Sequence, residues 1–191
     1  MPMPSDALLP DAIEDLNIFF IVGSVRSGTT LLRLLMGHHP DVSKCNEMEY
    51  LTPILLNSEL RHSGHKALQW LSLDRQFRNS GYTFDPDKSV DWQLKDFFHQ
   101  LYDARPCRWV AATVHNEFHA LPELFPNAKY IFIHRDPRDV ARSCKNMGWN
   151  GTSWGASKFW LAGQSQLALL KAQAKPEQIT EIKFEDLVAT P

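Results

Sequence analysis

Arg26, Ser27, Gly28, Thr29 and Thr30 combine a guanidinium, three hydroxyls and a glycine in five consecutive positions, a composition suited to holding an oxyanion. They sit inside residues 17–38, which read N-IFFIV-GSVRSGTT-LLRLLMG-H. The apolar run Phe19, Phe20, Ile21 and Val22 predicts a short, fully buried strand. Gly23 and Gly28 bracket a tight loop, and residues 29–36 predict a helix whose apolar face is Leu31, Leu32, Leu34 and Leu35. Gly37 and Pro40 mark its end. In such a strand–loop–helix unit, loop amides and the free N–H groups of the first helical turn converge on one point, where the helix dipole favours negative charge.

The spacing G-x4-G-T-T is that of a Walker A loop, except that a triphosphatase needs Gly-Lys-Ser/Thr, the Lys reaching the outer phosphates. Here Thr29 stands at the lysine position and Arg26 brings the positive charge from within the loop. That substitution favours a terminal monophosphate gripped by amides, hydroxyls and a guanidinium fork. Further along, residues 130–134 predict a second buried strand ending at Arg135. Asp136 suits the N-cap and Pro137 the first helical position. Arg138 and Arg142 then lie at i, i+4, with Ser143 two turns into the helix. Taken alone, this second unit reads more simply as an ordinary strand–helix pair with a solvated arginine face.

Val25-Arg26-Ser27-Gly28-Thr29-Thr30 resembles the 5′-phosphosulfate loop of sulfotransferases, most closely the bacterial and tyrosylprotein-type branch, with Val25 where that branch has Pro. The stretch R-D-P-R-D-x-x-x-S, carrying Arg135 and Ser143, resembles the same family's 3′-phosphate motif. Phe184-Glu185-Asp186-Leu187 is similar to its Tyr-Glu-Asp-Leu segment, read as architectural. The resemblance runs from about Ile18 to the last residue. It implies the donor 3′-phosphoadenosine 5′-phosphosulfate (PAPS; product PAP), with Arg26, Ser27, Gly28, Thr29 and Thr30 at the 5′-phosphate and Arg135 and Ser143 at the 3′-phosphate. No metal is implied.

A carboxylate beside a phosphate site is electrostatically costly unless it has a task, and general base is the obvious one. Residues 42–45 suggest a short strand with Glu47 and Glu49 beyond its end. Solvated loop charges are the plainer reading of both. The resemblance places a catalytic Glu shortly after a His-Pro-Asp-Val turn, matched by His39-Pro40-Asp41-Val42, which makes Glu47 the first candidate and Glu49 the reserve. Relatives also carry a Lys before the residue equivalent to Thr113. This chain has Ala112 there, so the resemblance is weakest at that position.

The remaining sequence supplies scaffold. Residues 54–88 predict short helices, and Val90, Leu94, Phe97, Phe98 and Leu101 form the inward face of a longer one capped by Ser89. Residues 109–113 and Ile179–Lys183 predict strands, and 156–174 a helix. His115 and His119 are i, i+4, but two histidines without a third ligand make a poor metal site, and a satisfied loop or core histidine is the simpler reading.

At 191 residues with 43% hydrophobic and 22% charged composition, the chain suits one globular domain. The division expected is a loose lead-in over 1–16 and a single domain over 17–191. A net charge of −2 provides no global field for nucleic acid. Three scattered cysteines suit a reducing compartment. No secretory signal and no apolar run of roughly 18 residues is visible, so a soluble, cytoplasmic protein without membrane partners is expected.

The fold class expected is α/β: a P-loop-like three-layer α/β/α arrangement on a central, mostly parallel sheet. The resemblance implies a further helical stretch past residue 191, so a truncated chain lacking part of the donor cover is expected, with a naturally short member as the alternative. The predicted activity is sulfuryl transfer from PAPS to a small-molecule or biopolymer hydroxyl or an amine. A P-loop small-molecule kinase, with Lys145 as its candidate lysine, and a non-catalytic nucleotide-binding relative stand as alternatives. Neither the acceptor nor the oligomeric state is encoded legibly.

Overall fold

The structure is a computed structural model that describes residues 16–190. Nearly all of the predicted lead-in over 1–16 lies outside the described residues. Among the described residues five strands form one sheet: β1 (Ile18–Gly23), β2 (Asn46–Glu47), β3 (Val110–Val114), β4 (Lys129–His134) and β5 (Ile179–Lys183), in the order β2-β3-β1-β4-β5. Every pairing is parallel. All six residues of β1 are buried, as expected of a central strand covered on both faces.

The first connection from β1 runs toward β2 at one edge, whereas β4 and β5 lie on the other side of β1. The chain therefore reverses its order at β1, and the carboxyl ends of β1 and its neighbours frame a crevice. Helices α1 (Thr29–Gly37), α2 (Leu51–Leu56), α3 (Ser58–Arg61), α4 (Gly64–Leu73), α5 (Arg75–Ser80) and α6 (Val90–Ala104) precede β3. After it come α7 (Leu121–Leu124), α8 (Pro137–Asn146), α9 (Ser153–Gln173) and the closing α10 (Phe184–Ala189).

One sheet face carries the main core. Phe20 packs edge-on to Phe98 and Phe125, with centroids 5.5 and 5.3 Å apart, and stacks on Tyr130 at 5.8 Å. Each fully buried ring of this kind contributes about 1.5–3 kcal/mol by leaving water. The predicted inward residues of α6 are all buried, and Ser89 Oγ accepts the N–H of Trp92 at 3.2 Å as its cap.

Two local expectations differ from the structure. Residues 42–45 do not form the second strand: Val42 makes an isolated bridge to Trp109, and the paired residues are Asn46 and Glu47, opposite Ala112 and Thr113. Glu47 thus lies within the strand. On α1 only Leu32 of the four leucines is buried, while Leu31, Leu34 and Leu35 face outward at 36–50% exposure.

Candidate functional site

The loop after β1 is shaped by its own backbone. Ser24 carbonyl accepts both the N–H and the hydroxyl of Ser27, at 3.1 and 2.6 Å, which closes the turn and buries Ser27 completely. Arg26 adopts φ 66°, a left-handed conformation that a non-glycine residue holds only when its surroundings enforce it. Gly28 has φ 106° and sits directly against the Phe184 ring, where an added Cβ would lie 2.2 Å from Cδ2. From Gly28 the chain enters α1 with no side-chain cap, leaving first-turn N–H groups for a ligand.

At the exit of β4, Asp136 caps α8 by accepting the Arg138 N–H at 2.8 Å, and Pro137 opens the helix as expected. Arg135 reaches back to the loop, where its Nη1 donates to the Arg26 carbonyl at 3.0 Å and its guanidinium lies 4.3 Å above the Phe184 ring. Its Nε is buried without a hydrogen-bond partner. Ser143 Oγ accepts from Arg26 Nε at 2.9 Å. The two predicted oxyanion grips are therefore in direct contact.

Arg26, Gly28, Thr29, Thr30 and Arg135 open onto one cavity of about 490 Å³. Glu47, Glu49, Arg75, His115, Asn116 and Trp149 line its remaining walls. Ser27 and Ser143 do not line it, the first hydroxyl being spent on the turn and the second on Arg26 Nε. A second cavity of about 340 Å³ shares Glu47 and Arg75 with the first and adds Arg33 and Lys44.

The two acids occupy different environments. Glu47 accepts one hydrogen bond, from Gln76 Nε2 at 3.2 Å, and its other oxygen lies 3.8 Å from Arg33 Nη2. Glu49 is fully occupied. Its Oε1 accepts the backbone N–H and Nδ1–H of His115, at 2.6 and 2.5 Å, and its Oε2 accepts the backbone and side-chain N–H groups of Asn116, at 3.2 and 3.1 Å. His115 Nε2 in turn meets Thr29 Oγ1 at 2.7 Å. Behind this wall, burial pushes the Cys45 thiol up to about 11, which keeps it protonated at neutral pH.

The sequence presents His115 only as a poor metal ligand beside His119, and gives Arg75 and Trp149 no role. For His115 a signal existed, since it follows the last residue of a strand at the ligand-bearing end of the sheet. Arg75 and Trp149 come from a weakly patterned helix and a glycine-rich connection, where no local signal marks them.

The sulfotransferase family profile matches residues 19–191. The chain belongs to the sulfotransferase family. Protein-tyrosine sulfotransferase A of Caenorhabditis elegans is 31% identical over 130 residues, covering 65% of this chain and 32% of that protein. The chain thus spans about a third of that relative's length. A putative protein-tyrosine sulfotransferase of Caenorhabditis briggsae is 28% identical over 184 residues, covering 92% of this chain and 61% of that one.

Solved structures agree on the fold. The sulfotransferase domain of the Synechococcus PCC 7002 olefin synthase superposes with a TM-score of 0.64 at 20% identity, covering 92% of this chain and 69% of that one. A mouse sulfotransferase complexed with PAP gives 0.51 at 15% identity, covering 97% and 60%. The three-layer α/β expectation with a parallel sheet holds.

Among the described residues, no helix is long and apolar enough to cross a membrane.

Proposed function

We propose that this chain transfers a sulfuryl group from PAPS to a hydroxyl or amine acceptor. The observation that carries the reading is the convergence of Arg26 and Arg135, from two separate strand exits, on one cavity. A nucleotide with phosphates at both its 5′ and 3′ ends needs two such grips. The unpartnered Nε of Arg135 supplies a donor that an incoming anion would satisfy.

In the proposed step the acceptor oxygen or nitrogen attacks sulfur in line, its proton passes to a carboxylate, and the bond from sulfur to the 5′-phosphate oxygen breaks with its electron pair on that oxygen. Loop amides, Arg26, Thr29 and Thr30 stabilise the charge gathering there. Ser27 braces the turn that aims them. Arg135 and Ser143 position the 3′-phosphate, Ser143 exchanging its Arg26 contact for the ligand.

Glu47 is the better base of the two acids. It retains free lone pairs at the cavity wall, whereas Glu49 has four donors on its two oxygens and no room for a proton. Glu49 acts as a positioning residue for His115. The kinase alternative finds no support in Lys145, which is exposed on α8 and lines neither cavity. A cytoplasmic location belongs to the proposal, supported by three unpaired cysteines among the described residues.

Calorimetric titration of adenosine 3′,5′-bisphosphate against adenosine 5′-monophosphate tests the reading. The bisphosphate is expected to bind more tightly by about 1.5–3 kcal/mol, the contribution of one hydrogen-bonded charged group. Equal affinities would remove Arg135 and Ser143 from the site.

A further inference from the structure

His115 leaves the sheet one residue beyond β3, and its imidazole is fixed at both nitrogens. Nδ1 lies 2.5 Å from Glu49 Oε1 and Nε2 lies 2.7 Å from Thr29 Oγ1. An ionised carboxylate only accepts, so Nδ1 carries a proton whatever the state of the ring. The open question is Nε2, and its answer decides what Thr29 offers the cavity. A hydroxyl has one proton to donate. When Nε2 is bare it takes that proton, and Thr29 turns only lone pairs toward the loop's anion. When Nε2 is protonated it donates to Thr29 Oγ1, and the hydroxyl proton is free to point at the anion.

We infer that the Glu49–His115 pair sets the donor character of Thr29, with the doubly protonated ring as the form that grips the 5′-phosphate. The inference rests on the reading of the loop as the 5′-phosphate site. His115 is a positioning residue, acting through Thr29. The charged groups that share its cavity are Glu49 from the turn after β2, Glu47 of β2, Arg75 of α5, Arg26 of the loop and Arg135 at the β4 exit. On its own segment Glu117 pairs with His119 at 3.5 Å. Raising pH removes the doubly protonated ring, so the grip is expected to loosen in that direction.

The test is binding of adenosine 3′,5′-bisphosphate across roughly pH 5–8 to the unaltered chain, His115→Gln, Thr29→Val, Thr29→Ser and the His115→Gln/Thr29→Val pair. Ionisation of the ligand's own phosphates is common to all five proteins and cancels between them. The unaltered chain and Thr29→Ser are expected to lose about tenfold more affinity over this window than His115→Gln, the equivalent of one charge-assisted hydrogen bond. In the Thr29→Val background, replacing His115 is expected to leave the slope unchanged.

Parallel pH curves for the unaltered chain and His115→Gln would overturn the inference, as would a steep slope that survives Thr29→Val. A purely structural role for His115 would lower affinity by one factor at every pH. If bisphosphate and monophosphate bind alike, the two-grip reading has failed; if the bisphosphate is preferred while the slopes coincide, only the role of His115 has.

Discussion

The two strand exits that meet in the cavity are built on opposite plans. At β1 the proposed anion grip is shaped by backbone: the left-handed residues Arg26 and Gly28 flank a buried serine and aim first-turn amides beside the Arg26, Thr29 and Thr30 side chains. At β4 it is made of side chains, Arg135 and Ser143, mounted on an unstrained turn and a regular helix capped by Asp136. The contrast teaches where tolerance lies. A change to Ser27 or Gly28 at the first exit deforms the site's shape, whereas a change at the second removes side-chain contacts from an unstrained turn and helix.

Substitutions can separate grip from chemistry, and then one grip from the other. The largest effect is expected from Glu47→Gln, which touches neither exit: turnover falls by about 10²- to 10⁴-fold, while calorimetry finds bisphosphate binding within about twofold, well under the roughly 1.4 kcal/mol that a tenfold loss represents. A comparable loss of binding would show instead that Glu47 holds the site together. Gly28→Ala attacks the first exit, forcing a side chain into φ 106° and against Phe184. It is expected to cost about 1–3 kcal/mol of stability from strain alone, read as a lowered thermal midpoint, and to weaken bisphosphate and monophosphate together.

Arg135→Ala attacks the second exit, and is expected to weaken the bisphosphate by about 10- to 100-fold while sparing the monophosphate and the thermal midpoint. Ser143→Ala is the mildest, a neutral hydrogen bond of about 0.5–1.5 kcal/mol, again for the bisphosphate alone. Should Arg135→Ala also weaken the monophosphate, its contact with the Arg26 carbonyl would be shaping the first exit and the contrast would dissolve.

The second exit was the more legible in the sequence, because its structure is dictated locally. Asp136 and Pro137 announce a helix start whatever surrounds them, and the continuous apolar run over 130–133 needs only the sheet. The glycines of the first exit announced a loop, yet not that Arg26 would take the left-handed turn or that Ser27 would spend its hydroxyl on the Ser24 carbonyl. Both outcomes depend on closing the turn onto Ser24.

Other features were unreadable for a similar reason. β2 is two residues long and exists only because β3 offers partners at Ala112 and Thr113, so no period could reveal it. Glu47 and Glu49 look alike in sequence, and what distinguishes them is the loop of His115 and Asn116, more than sixty positions away. The leucine-rich face of α1 signalled a helix correctly but overstated its burial, since only Leu32 meets the sheet.

Phe184 lies beneath Gly28 on one side and Arg135 on the other. A wedge of packed carbon therefore helps fix the gauge between the two anchoring points. Dissolved ions can mute attraction between charges, but they leave such a spacer its size. Raising ionic strength should then slacken this protein's hold on a nucleotide without altering which span of nucleotide it accommodates.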